Sequence, residues 1–359
     1  MDRHIVPGIE AQHAAEAHRE DLKIQDQYGC KCMTYWVDEE RGFAFCLIDA
    51  PDEESVRQMH DRAHGLIPHD IIQVNPRLVE SFLGRMSDPE QHTDPGGPIT
   101  AISESAFRTI LMIHIKLLNL AKFRRSDYIA YLKLIREKWG AKLEAWEGRN
   151  VEYPGKDFIA SFTSMGNAVR CASDLQKEIS TPNETFGAVI GVHAGLPVTE
   201  KAGLYGEALK IAGHLCFIGE KDQVMLSSSI AEAYPKELPE QREEVFERLN
   251  PAEEKFLVLL MDTLSSQWND AGFRVEDFCE QMSMSKSNLY RKCLNLTGRP
   301  SNELLREYRL QRSLDLLKTE RNVSQTAFDC GFTSPSYFTR SFQQRFGVKP
   351  TVYISELND

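Results

Sequence analysis

Two groups of residues in this chain sit at spacings that could do chemistry. The first is a set of histidines, carboxylates and thiols: seven of the ten histidines precede residue 93. If residues 10–27 and 52–63 are helices, His18 and Asp21 lie one turn apart on one face, and His60 and His64 do the same on another. Imidazoles at i, i+4 are serviceable ligands for nickel, zinc or copper, and Cys30 and Cys32 with Cys46 add soft donors nearby in sequence. His18, Asp21, His60 and His64 are therefore candidate ligands for a transition metal such as nickel. The same spacing also fits a metal-free polar cluster in which the histidines bond carboxylates.

The second group lies in the last hundred residues, on what read as two helix-turn-helix units. Val323 to Gly331 is a short amphipathic segment stopped by a glycine, where a helix end needs a residue tolerant of positive φ. Ser334 and Pro335 then supply an N-cap and first-turn residue for a new helix to Phe346. Phe338, Phe342 and Phe346 give that helix one buried stripe. Ser336, Tyr337, Thr339 and Arg340 are left for the rest of its surface, with groups able to bond base edges or phosphates. The earlier unit repeats the plan: Val275 to Met282 is a helix, Ser283 to Ser285 a turn, and Lys286 to Cys293 a second helix. Asn302 to Lys318 reads as one long connecting helix with a leucine-rich face.

Residues 255 to about 352 resemble the DNA-binding domain of AraC-family transcription regulators, and Gly331-Phe332, Tyr337-Phe338, Arg340, Phe342, Phe346-Gly347 and Pro350 resemble its C-terminal signature. The resemblance implies that the two recognition helices enter successive major-groove segments on one face of double-stranded DNA, about 34 Å apart. It places Ser287, Tyr290 and Arg291 of the first helix, next to Lys286, and Ser336, Thr339 and Arg340 of the second, next to Tyr337, toward the groove. Arg345 and Lys349 are expected on phosphates. Charge agrees: residues 286–349 hold 12 Lys and Arg against 5 Asp and Glu, a balance of +7 within a chain of net −11.

Upstream, residues 1–78 follow a βαββαβ order: strand 3–6, helix 10–27, strands 32–37 and 43–48, helix 52–63, strand 70–74. That is the ferredoxin-like arrangement. His18-Arg-Glu-Asp-Leu, Tyr35-Trp-Val-Asp-Glu-Glu, Phe45-Cys46 and the His60/His64 pair resemble a small family of ferredoxin-like domains described as nickel-binding, which implies metal or small-molecule effector sensing. Residues 79–98, ending Asp94-Pro-Gly-Gly-Pro98, read as a turn-rich linker.

Residues 99–245 alternate strands and helices: strand 108–115, helix 127–139, a hairpin with arms 142–146 and 151–153, strand 158–162, helix 164–179, strand 186–194, helix 205–216 and strand 224–226. Arg108-Thr-Ile-Leu, Phe158 to Phe162, Ile190 to Gly195, Tyr205 to Leu209 and Val224 to Ser228 resemble class III nucleotide cyclases. That chemistry needs two carboxylates to hold metal ions. At the positions where the family places them stand His114 and Lys156, and Lys210 and His214 replace the asparagine and arginine that would stabilise the transition state. The resemblance then implies a kept fold without catalysis, serving dimerisation or the binding of a nucleotide or other small anion without turnover. An active nucleotide cyclase with an attached DNA-binding domain is the rival reading.

The expected architecture is a multidomain α+β chain: a ferredoxin-like domain over 1–78, the linker 79–98, a cyclase-like α/β domain over 99–245 and an all-α tandem helix-turn-helix domain over 246–359. At 359 residues and 42% apolar content the chain can bury cores for that many domains. No run approaches the length of a membrane span, the N-terminus lacks a secretory signal, and eight scattered cysteines fit reduced thiols. The expectation is a cytoplasmic homodimer acting on DNA, with no membrane partner and no enzymatic activity.

Overall fold

In the computed structural model the described residues are 1–88, 101–155, 157–182, 184–199, 203–234, 246–319 and 322–356. They form a multidomain fold of mixed helix and sheet with an all-helical C-terminal region. By compactness the chain divides into two units, one of residues 1–112, 143–170 and 192–212, the other of residues 113–142, 171–191 and 213–359.

The chain opens with β1 (Asp2–Ile5), α1 (Ala11–Ile24) with a 3₁₀ turn over Gln25–Tyr28, β2 (Lys31–Asp38), β3 (Phe43–Asp49), α2 (Glu53–Ala63) and β4 (Asp70–Ile71). The sheet order β2-β3-β1-β4 is the ferredoxin-like one, with β1 antiparallel to both β3 and β4. α2 starts where Asp52 accepts the backbone N–H of Ser55, one of the orphan donors of a first turn. β4 stops at Ile71 rather than reaching Val74, because Asn75 caps a further helix, α3 (Pro76–Leu83), with proline at its first position. Residues 79–83, expected in the linker, are thus helical, and Val79, Phe82 and Leu83 are buried. Residues 89–98 of the expected linker lie outside the described residues.

Next come β5 (Arg108–Leu117), α4 (Arg125–Ala145), β6 (Arg149–Val151), β7 (Phe158–Phe162), α5 (Met165–Ile179), β8 (Phe186–Gly195), α6 (Gly206–Ile218), β9 (Val224–Leu226), α7 (Ser228–Ala233) and β10 (Phe246–Arg248). The second sheet runs β10-β9-β8-β5-β7-β6. The expected hairpin arm at 142–146 is instead the last turn of α4. Tyr131, Ile135, Trp139 and Leu143 are all buried at four-residue spacing, so the apolar stripe carries the helix through Gly140. The turn behind it needs Gly148, where an added Cβ would fall 2.5 Å from the Phe162 ring.

The C-terminal region is α8 (Pro251–Gln267), α9 (Val275–Gln281), α10 (Lys286–Thr297), α11 (Ser301–Thr319), α12 (Val323–Asp329), α13 (Pro335–Phe346) and α14 (Pro350–Glu356). Asn250 and Glu253 form a reciprocal capping box at the start of α8. Phe338, Phe342 and Phe346 are fully buried with Leu310, Leu314, Leu317, Phe332 and Tyr353, and each such ring contributes on the order of 2–3 kcal/mol by leaving water. Leu120, from the segment after β5, belongs to the same cluster, and Leu117 at the end of β5 and Phe123 pack against it. Among the described residues no helix is long and apolar enough to cross a membrane.

Candidate functional site

α10 and α13 are each 12 residues long and are built alike. Ser285 and Ser334 accept the backbone N–H of Asn288 and Tyr337 at 3.3 and 3.2 Å, and Gly298 and Gly347 close the helices in left-handed conformation. The preceding turns differ in chemistry. The second uses Gly331 at φ 74°, where a Cβ would meet the Trp268 carbonyl at 2.6 Å; the first uses Ser283 at φ 50°. Leu289 and Cys293 face the core of the first unit and the three phenylalanines that of the second.

The opposite faces are polar. Lys286, Ser287, Tyr290 and Arg291 are exposed on α10, Tyr290 at 55%. On α13, Ser336, Tyr337 and Arg340 are exposed and Thr339 is half-buried. Arg291 Nη2 lies 3.3 Å from Asn288 Oδ1, and the Arg340 guanidinium stacks 5.7 Å from the Tyr337 ring centroid. Lys286 pairs with Glu276, which raises the lysine's pKa and lowers the carboxyl's. Lys349 is exposed. Arg345 differs: it is half-buried, with Nε donating to Glu307 at 2.7 Å and Nη1 to the Leu118 carbonyl at 2.9 Å. Its guanidinium is engaged inside the protein, unlike the free phosphate contact that the sequence suggests.

The first domain brings three of its four expected residues together. His60 is fully buried; its Nδ1 sits 3.1 Å from both Asp21 Oδ1 and His64 Nε2, while its Nε2 sits 3.0 Å from Asp2 Oδ2. His18 instead lies 2.9 Å from Asp88 and against the Tyr35 ring. The structure adds Asp2 and His4 and, of the three thiols noted in the sequence, brings in Cys46, so that Asp2, His4, Cys46 and His60 form one set of donor atoms within 4.8 Å of one another, and Asp21, His60 and His64 a second. Asp2 and His4 are two apart on β1 and share a face, a signal the sequence held only in the alternation of a four-residue strand.

Burial works against charging His60, but hydrogen bonds and charges from Asp2 and Asp21 outweigh it and raise its pKa to about 10. Burial, with Asp2 and Asp21 nearby, pushes the Cys46 thiol well up. Imidazole, carboxylate and thiol are a donor set that suits nickel or zinc. A metal would have to displace protons from His60 and Cys46 to use it.

In the central region His114 lies half-buried on β5, and Lys210 and His214 lie on α6, exposed and buried. Lys156 lies outside the described residues.

Residues 278–356 match the family described as Helix-turn-helix domain, and residues 1–74 match Nickel responsive protein SCO4226-like. The HTH-type transcriptional activator RhaR of Pectobacterium atrosepticum is 37% identical over 84 residues, 23% of this chain and 30% of that protein. Histidine kinase P4 of Formosa agariphila is 34% identical over 88 residues, 24% of this chain and 6% of that protein. This chain thus spans a third or less of these relatives' length. An adenylate/guanylate cyclase/hydrolase structure from Silicibacter pomeroyi aligns at 22% identity over 37% of this chain and 83% of that one, with a TM-score of 0.33. The capped helix pairs and the family match identify residues 278–356 as a helix-turn-helix domain, similar to that of the transcriptional activator RhaR.

Proposed function

We propose that this protein is a sequence-specific regulator of transcription that binds double-stranded DNA through α10 and α13. The observation that carries the reading is the matched pair of serine-capped, glycine-closed helices, each with an apolar face in the core and a polar face in solvent. Ser287, Tyr290 and Arg291, and Ser336, Thr339 and Arg340, are the base-reading sets; Lys349 takes phosphate. Selection of duplexes from a random pool by the full chain tests this. Enrichment of one site, with affinity falling steeply as salt rises, is expected. Recovery of unenriched sequence would refute sequence-specific binding.

The rest of the assignment is organised around that reader. Residues 1–78 sense a metal, with nickel the first choice, or a small-molecule effector. The support is the donor cluster on β1, β3, α1 and α2, and the match of residues 1–74. Residues 79–98 join it to a cyclase-like domain over 99–245, and residues 246–359 form the reader. His114, Lys210 and His214 support a central domain without cyclase turnover, which acts as the interface of a cytoplasmic homodimer. Incubation of the full chain with ATP or GTP and manganese should yield no cyclic nucleotide, and light scattering should give twice the chain mass.

A further inference from the structure

Lys286, the first residue of α10, and Tyr337, in the first turn of α13, line one open cleft of ≈ 470 Å³. Asn302 and Arg306 of the connecting helix α11 line it too, as do Arg274 and Arg309. The cleft carries four cations against one carboxylate, Glu276. Two of the cations are already committed. Lys286 pairs with Glu276, and Arg309 donates to the carbonyls of Trp268 and Asp270 at 2.7 and 2.6 Å.

Arg306 is not committed. It is half-buried, and among the described residues it makes no hydrogen bond and no ion pair. A guanidinium stays charged and carries five N–H donors, and none of those on Arg306 is buried without a partner, so they remain available in the open cleft to an anionic acceptor. Asn302, one turn earlier on the same face of α11, adds an exposed amide.

We propose that Arg306, with Asn302 and Arg274, seats a phosphate of the DNA backbone between the two groove segments read by α10 and α13. This rests on the DNA-binding reading above. Helices that enter successive major grooves on one face of the duplex leave a minor groove facing the protein between them, bounded by phosphates. α11 links the two units, and its first turns line the same cleft as the starts of both recognition helices. A guanidinium can donate to two phosphate oxygens at once, which fixes register as well as adding affinity.

The experiment compares the full-length parent with Arg306→Gln, which keeps a long polar side chain, and Arg306→Lys. Each is titrated with its selected duplex and with a random-sequence duplex about three helical turns long, over a range of salt. Arg306→Gln should bind both duplexes on the order of tenfold more weakly at about 0.1 M salt, with the slope of log affinity against log salt reduced by about 0.9. The site that it selects should match the parent's, and Arg306→Lys should restore the slope. An unchanged slope in Arg306→Gln overturns the phosphate seat while leaving the DNA-binding reading intact; a parent that binds neither duplex overturns both. Inorganic phosphate is the second probe. If it raises the melting temperature of the parent but not of Arg306→Gln, with DNA slopes equal, the cleft takes a small anion and the proposal fails.

Discussion

Arg345 on α13 donates to Glu307 on α11 at 2.7 Å, and the same guanidinium holds the Leu118 carbonyl just after β5 at 2.9 Å. Burial opposes ionisation of Glu307, yet the bond and charge of Arg345 dominate and hold the carboxyl below its usual range. Two residues after Leu118, the Leu120 N–H donates to the Phe346 carbonyl at 2.6 Å, so the second helix-turn-helix unit is clamped at the C-terminal end of α13. Arg345→Ala should therefore destabilise the fold by about 2 kcal/mol, since it removes the nearest cation from a carboxylate that keeps only Gln311 at 2.8 Å and the more distant Arg299 at 3.6 Å. Denaturant titration reads that loss. A variant of parental stability whose DNA binding has lost salt dependence would instead place Arg345 on a phosphate.

A second group near that junction sets a pH dependence. Lys116 Nζ donates to the carbonyls of Phe217 and Gly219 at 2.7 and 2.5 Å, at the end of α6. Burial pulls its pKa from 10.5 down to about 8, against the opposing pull of Cys216 and Glu307. Between those two values the unfolded chain holds a proton that the folded chain has released, so folding gains as pH rises. The contribution is complete above 10.5 and is lost as pH falls through about 8. Relative to Lys116→Met, the parent's unfolding free energy should rise by up to about 3 kcal/mol across that window. Urea titrations of both proteins at several pH values test it, and a constant difference would contradict the shift.

What the sequence displays best is structure whose cause is local. α13 falls where Ser334, Pro335, the phenylalanine stripe and Gly347 place it, and β9 where Val224 to Leu226 do. The end of α4 was hidden because Gly140 reads as a break, although Trp139 and Leu143 on either side of it continue a buried stripe. The metal-type cluster was half legible. His60 lies in the last turn of α2 and His64 is its C-cap four residues on, but Asp2 and His4 join His60 only because β1 lies in the middle of its sheet, a pairing between distant segments. His18 has the right spacing to Asp21, yet it bonds Asp88, far along the chain.

That cluster gives a prediction with two readouts. His60→Ala combined with His64→Ala should abolish stoichiometric nickel or zinc binding by calorimetry, since His60 belongs to both donor sets. In the parent, the heat of binding should vary with the buffer's ionisation enthalpy, because His60, whose pKa is raised to about 10 by Asp2 and Asp21 in spite of burial, must give up its proton to a metal. Circular dichroism checks that the double variant still folds. Equal metal affinity in parent and variant removes the site, and leaves a polar core cluster in its place.

Under the proposed DNA-binding reading, Arg291 is the residue of α10 assigned to direct base reading. It is exposed on α10, its Nη2 rests 3.3 Å from Asn288 Oδ1, and it lies one helical turn after Ser287 and Asn288. Arginine can donate two hydrogen bonds to guanine O6 and N7, a pairing that discriminates against other bases by roughly 1–3 kcal/mol. Removing it takes away information at one position and leaves the other contacts in place. Arg291→Ala should therefore select a site that matches the parent's except for relaxed preference at one base pair. Lys349→Ala, at an exposed position beyond α13, should weaken every duplex about equally and flatten the salt dependence without changing the site. If Arg291→Ala recovers the parent's site with full preference at each position, Arg291 reads no base, and the discrimination falls to Ser287, Tyr290 and the residues of α13.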